Sequence, residues 1–341
     1  MSTPTESAGL PVITPQELIE FLALAKTTKL PLMVRGGPGV GKSSIFRQFA
    51  ATQGDGYGYL DSRAIYFDPT DIKGFPRVNG KVTEWLPPAE FPTQGEGMWV
   101  IEELPSAAPA VQAAFYQLML DRQIGAYRLP DGWFIVATGN RLIDKAVVNR
   151  MPSPLVSRMW HVELQVSIDA WTEHALDRGI VPELIAFFRL RAALLNNFDP
   201  KNWVADTPYC CPRTVEFLSR LMQASNGKPS LKLVFATIGE SAGIEFYSFL
   251  DVYKEVPSLD AILLDPDAAP VPEKPAALYA VMAGLARKVT PQNADRVFRY
   301  LARMPKEFEV CGVRDCQRAS KGITQTKAFT EWAVRNAGVL S

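Results

Sequence analysis

The chain has 341 residues, which suggests two or three domains with ample material for a core. Lys+Arg and Asp+Glu both total 36, so the net charge is zero, and no long basic run marks a dedicated nucleic-acid surface. No apolar run reaches the roughly 18 residues a membrane span needs. The opening MSTPTESAGLPV lacks the charged and apolar regions of a secretory signal, so residues 1–8 read as a mobile tail and the expected location is the cytoplasm. Cys210, Cys211, Cys311 and Cys316 form no C-x-x-C pair or known zinc spacing, so free thiols are expected.

Thr14-Pro15-Gln16-Glu17 is a capping box with Pro at the first helical position, and it predicts a helix to about Lys26. The apolar stretch Leu30-Pro31-Leu32-Met33-Val34 predicts a buried strand. It leads into Gly36-Gly37-Pro38-Gly39-Val40-Gly41-Lys42-Ser43-Ser44, which fits G-x-x-x-x-G-K-[ST], the phosphate-binding loop. A helix follows from Lys42 to Ala51. Glycines let the backbone wrap phosphates, and their N–H groups point at the anion together with the helix N-terminus. Lys42 is expected to reach the β- and γ-phosphates, and the Ser43 hydroxyl to bind Mg²⁺.

Ala64–Phe67 reads as a short strand. Residues 71–92 hold Asn79-Gly80 between two extended runs, a hairpin signal. Met98–Ile101 reads as a buried strand closed by Glu102-Glu103. Pro109 to Arg122 reads as one helix, 124–131 as a second hairpin, and Trp133–Thr138 as a buried strand ending at Gly139-Asn140. Trp160–Val166 is a further strand. Strands alternating with helices up to about residue 166 imply a parallel sheet covered on both faces. From Ser167 onward the pattern turns helical: 168–178, 182–195, 212–224, 231–238, 241–253, 275–288, 291–303 and 326–336. The proline-rich stretch 256–275 reads as a connection.

In an open parallel sheet, ligands bind at the C-terminal edge of the strands. That places Glu102 and Glu103 beside a nucleotide, one to hold Mg²⁺ through water and the other to polarise an attacking water. An Asn140 amide at the next strand end offers a donor and an acceptor for positioning that water, although a Gly-Asn pair by itself signals only a turn. Arg158, in Pro154-Leu155-Val156-Ser157-Arg158-Met159, precedes a strand and is either a cation for a neighbouring subunit's γ-phosphate or an ordinary surface arginine. Arg213, in Cys211-Pro212-Arg213-Thr214, opens a helix of the all-helical part.

The phosphate loop, the acid pair of VIEE, the Asn after IVAT, the Arg of PLVSRM and the Arg of CPRT, in that order, resemble the AAA+ ATPases and look most like their MoxR branch. The resemblance covers about residues 10–225. It implies a Walker A loop, Walker B acids Glu102 and Glu103, sensor 1 at Asn140, an arginine finger at Arg158 and sensor 2 at Arg213. Arg150 stands as the alternative finger. The segments 71–92 and 124–131 are similar in place to the hairpins of MoxR-type proteins.

The resemblance further implies ATP and Mg²⁺ as cofactors and a homo-oligomeric ring, usually of six subunits. It also implies a protein partner, which in such ATPases often carries a von Willebrand A domain. The expected organisation is an α/β P-loop NTPase core over 9–166, a helical lid over 167–255 and a helical extension over 256–341. One departure stands out: the first Walker B acid is usually Asp and here is Glu102. The longer side chain can still hold Mg²⁺ through water, but the geometry shifts, which leaves room for slow hydrolysis. The alternatives are therefore a nucleotide-gated assembly switch with little turnover and a motor on nucleic acid, which the neutral charge disfavours.

Overall fold

A computed structural model describes residues 9–144, 149–225, 229–254 and 256–337. The expected tail, 1–8, lies outside them. The chain divides into two compact units, residues 1–166 with 199–202, and 167–198 with 203–341.

The first unit opens with β1 (Val12–Ile13), α1 (Pro15–Thr28), β2 (Leu32–Arg35) and α2 (Lys42–Ala51). The capping box is present: the Thr14 hydroxyl accepts from the Glu17 N–H, and the Glu17 carboxylate accepts from the Thr14 N–H. Next come β3 (Gly58–Arg63), α3 (Pro69–Lys73), β4 (Phe75–Asn79), β5 (Val82–Leu86) and β6 (Glu96–Glu102). Then follow α4 (Pro109–Ala114), α5 (Tyr116–Asp121), β7 (Gln123–Ile124), β8 (Tyr127–Arg128), β9 (Gly132–Gly139), α6 (Ser153–Val156) and β10 (Trp160–Leu164).

Six of these strands form one parallel sheet in the order β1-β10-β2-β9-β6-β3. Its central strands are apolar through their middles, Leu32–Val34, Met98–Ile101 and Trp133–Ala137, because both faces are covered. Met33, Trp99, Ile101, Ile135 and Ala137 pack into one core, with Val111, Phe115 and Leu118 of α4, α5 and the residue between them. Leu32, Val34, Met98, Val100, Phe134 and Val136 pack into the other, with Leu18 and Leu22 of α1 and Phe46 and Phe49 of α2. This is the expected αβα core of a P-loop NTPase.

Both expected hairpins form. β4–β5 leaves Phe75, Val78, Val82 and Leu86 exposed, with the Lys73 ammonium 4.3 Å from the Trp85 ring centroid. β7–β8 is different: Ile124 and Tyr127 are buried, and the Tyr127 hydroxyl donates to the Pro92 carbonyl at 2.8 Å. Two expectations are corrected. The strand placed at Ala64–Phe67 is a 3₁₀ turn, Ala64–Tyr66, and the strand is the more polar Gly58–Arg63 before it. Among the described residues that segment is an edge strand, paired only with β6, so it carries less of the apolar signature. The helix expected from Pro109 to Arg122 is two short helices meeting at Phe115.

The second unit is helical: α7 (Ile168–Asp177), α8 (Pro182–Leu190), α9 (Pro212–Ala224) and α10 (Leu231–Lys254). α11 (Leu259–Leu264), α12 (Pro275–Lys288), α13 (Ala294–Leu301), α14 (Lys306–Ala319) and α15 (Lys327–Arg335) complete it. α10 is broken at Gly239 (φ 78°, ψ 170°), which matches the reading of two helices on either side. A side chain there would meet the Pro208 carbonyl at 2.5 Å, so the break needs glycine. The stretch 256–275 contains α11, because its prolines flank the helix rather than interrupt it. α14 is an addition to the expected helices. Val310, Val313 and Cys316 share one core with residues of α11, α12, α13 and α15. Arg189 of α8 forks onto Asp315 of α14, with Nη2 donating at 2.7 Å to Oδ1 and Nη1 donating to Oδ2.

Candidate functional site

The phosphate loop joins the end of β2 to the start of α2, the strand–loop–helix setting that the motif needs. Gly41 (φ 100°), the second fixed glycine of the motif, takes a left-handed conformation that favours glycine, and so does Gly39 (φ 73°) at one of the motif's variable positions. Lys42 Nζ donates to the carbonyls of Gly36 (2.9 Å) and Gly37 (3.1 Å), so the ammonium lies over its own loop. Pro38, Val40, Ser43 and Ser44 complete the segment; Ser44 is exposed.

β6 lies two strands from β2, with β9 between them. Its last residue, Glu102, is buried, and the Ser43 hydroxyl donates to Oε1 of Glu102. The other carboxylate oxygen lies 3.7 Å from Arg63 Nε at the end of β3. The two residues predicted to share a cation are therefore in direct contact, and the extra methylene of Glu102 does not keep it from Ser43. Glu103 leaves the strand in a left-handed conformation (φ 59°, ψ 31°), uncommon for a residue with a side chain and concentrated at functional sites. Its N–H donates to the buried Thr138 hydroxyl at 3.2 Å, which ties the acid pair to β9. Asn140 is half-buried just beyond β9.

The donor set suits magnesium. A hydroxyl and a carboxylate are hard oxygen donors, and Mg²⁺ is commonly held by one or two such groups together with substrate phosphates. Among the described residues no group of three or more His, Cys, Asp or Glu forms a protein-only cage.

Each predicted arginine has its own local surroundings. Arg158 is folded onto its own chain: Nη1 donates to the Pro154 carbonyl, and the guanidinium lies 5.7 Å from the Tyr116 ring centroid. Its Nε is buried without a hydrogen-bond partner. Arg150 is exposed. Arg213, also exposed, lies in the first turn of α9 in the second unit. The four cysteines are free. Burial pushes the Cys210, Cys311 and Cys316 thiols above their ordinary range, opposite to what a reactive thiolate needs.

Three charged groups at this sheet edge were missed by the sequence reading. Arg63 faces Glu102. Arg141, next to Asn140, is paired with Asp144 and Glu163. Arg35 ends β2, where burial lowers its pKa against the opposing pull of Glu163. For Arg141 burial also works against the charge, but the hydrogen bonds and charges of Asp144 and Glu163 outweigh it and the pKa is raised. The only available signal was their position at or just past strand ends.

No family model matches this chain, and no curated protein matches it. Among solved structures, a mutant of RuvB from Thermotoga maritima is similar at 16% identity and a TM-score of 0.39, over 79% of this chain and 80% of that one. NtrX from Brucella abortus is similar at 14% identity and a TM-score of 0.41, over 89% of this chain and 67% of that one. The strand order and the phosphate loop on their own define the class: a P-loop nucleotide-binding fold. Among the described residues no helix is long and apolar enough to cross a membrane.

Proposed function

We propose that this chain is an AAA+ ATPase of MoxR-like type that hydrolyses ATP in a homo-oligomeric ring to remodel or activate a protein partner, possessing a core, a lid over 167–255 and an extension over 256–341. The observation that carries it is the contact of Ser43 with Glu102 beside the phosphate loop, with Glu103 and Asn140 at the same sheet edge. The loop amides and Lys42 bind the phosphates. Ser43 and Glu102 hold Mg²⁺, which neutralises phosphate charge when bound. Glu103 accepts the proton of the attacking water, and the Asn140 amide orients that water. Arg158 leaves the Pro154 carbonyl to complete a neighbour's site; its partnerless Nε fits a side chain whose best partner is on another subunit. Arg213 contacts the γ-phosphate from the lid. The partner is a protein, one candidate class being von Willebrand A domain proteins, and the location is the cytoplasm.

The test is light scattering with and without ATP and Mg²⁺, with phosphate release followed in the same samples. Glu103→Gln is expected to bind ATP but hydrolyse it at least about tenfold more slowly, because the water loses its acceptor. Near-normal turnover in that variant overturns the assignment. Arg158→Ala is expected to lose hydrolysis and regain part of it when mixed with Glu103→Gln subunits. Rescue by Arg150→Ala instead would move the finger to Arg150. A second reading is favoured by Glu102 standing where Asp is usual: a nucleotide-gated assembly switch. A ring that forms on ATP without repeated phosphate release supports it.

A further inference from the structure

Arg141 follows Asn140 directly, and its surroundings are unusually determined. Its N–H donates to Asp144 Oδ2 at 2.9 Å. Its Nε donates to Oδ1 and Oδ2 at 2.9 and 3.1 Å, and Nη2 to Oδ1 at 2.7 Å. The same carboxylate therefore closes the backbone turn after Asn140 and forks onto the guanidinium. Asp144 is 3% exposed, so this pair is shielded from water. On its other side Arg141 Nη1 lies 3.7 Å from Glu163 Oε1. Glu163 sits on β10 opposite Arg35, the last residue of β2 before the phosphate loop. Arg141 Nη2 would lie 3.6 Å from a Cβ on Gly37, so the guanidinium rests against the phosphate loop itself. Arg35, Arg141, Asp144 and Glu163 together carry no net charge.

A buried ion pair is weak evidence for stability, since an apolar replacement often serves as well. Its position is the informative part: one arginine joins the ends of β9 and β10 to the loop after β2.

We propose that Arg141 is a positioning residue: braced by Asp144 and Glu163, it fixes the Asn140 amide relative to the phosphate loop. This rests on the reading of the site as a nucleotide hydrolase. It acts through Asn140 and does not itself contact the water. Lysine cannot replace it, because a point charge on a flexible stem does not reproduce the fork.

The experiment is a double-mutant cycle on the full chain, reading turnover at saturating ATP, together with the affinities of fluorescent ATP and ADP analogues. Arg141→Ala is expected to lower kcat at least about tenfold, the scale on which small misplacements act, while ATP affinity stays within about threefold. Arg141→Lys should fail to restore it. Arg141→Ala combined with Asn140→Ala should be no slower than Asn140→Ala alone, since the two act as one unit. Additive losses, full rescue by Lys, or weakened affinity with unchanged kcat each overturn the proposal. Failure of the hydrolase reading looks different: the wild-type chain itself would then bind ATP without repeated phosphate release, and the proposal falls with it.

Discussion

The two units bury charge for different ends. In the first, the buried or half-buried charges Glu102, Arg141, Asp144 and Glu163 collect at one edge of the sheet, around the phosphate loop. In the second, Arg189 and Asp315 are 10% and 2% exposed and join two helices, α8 and α14. The first set shares its acids with hydroxyls and backbone groups that ligands also use; the second pair satisfies itself. A parallel sheet ends its strands together, so polar groups at those ends converge. A helical bundle has no such edge, so its buried charges are paired one by one: Asp315 with Arg189 of a neighbouring helix, Glu309 with Lys306 of its own.

The largest effect that would sharpen this contrast is at Asp315. Asp315→Ala leaves Arg189 buried and unpaired, and is expected to cost the second unit about 3–5 kcal/mol in denaturant unfolding. Replacing both residues with Met and Leu should recover most of it. If Asp315→Ala is as stable as the wild type, the pair is not the self-contained tie described here. Next is Gly239→Ala, which forces a side chain into a backbone region nearly exclusive to glycine and against the Pro208 carbonyl. A loss of at least about 1–3 kcal/mol is expected, again in the second unit. A neutral result would mean that the break in α10 relaxes.

In the first unit, Arg63 is half-exposed, so its attraction to Glu102 is screened and worth less than about 1 kcal/mol. Arg63→Ala should tighten Mg²⁺-dependent nucleotide binding by no more than about fivefold, read by titrating Mg²⁺ at fixed nucleotide. Weaker Mg²⁺ dependence would show that Arg63 assists the site rather than competing for Glu102.

The smallest effect is acid sensitivity, which both units share. Burial lowers the pKa of His161 despite the Val156 carbonyl, and burial lowers that of His174 despite Glu216. The unfolded chain then binds protons first, so stability is present above the ordinary imidazole pKa, about 6.5, and is lost as pH falls through it. His174→Gln should remove this dependence from the second unit only, seen as unfolding midpoints at pH 7.5 and 5.5. Equal loss in both units would break the assignment.

Much of the site was legible because its signals are local. The phosphate loop is a contiguous run whose glycines, Lys42 and Ser43 have fixed roles, and the acids close an apolar strand. The same holds for the Asn79-Gly80 hairpin and the helix capped at Thr14. Elements with weaker local signals were misplaced. β3 is a polar edge strand, and α14 hides its apolar period because Glu309 and Asp315 lie among its buried residues.

The sequence by itself determined the phosphate loop, the alternation that makes a parallel sheet, and the change to helices after residue 166, since each depends on neighbours in the chain. The tertiary structure alone decided that Glu102 reaches Ser43 across 59 residues and that Asp315 belongs to Arg189 across 126. It also decided that Arg141 lies between Asp144, Glu163 and the phosphate loop. These pairings depend on strand order and helix packing, and no local pattern encodes which distant partner a buried charge will meet.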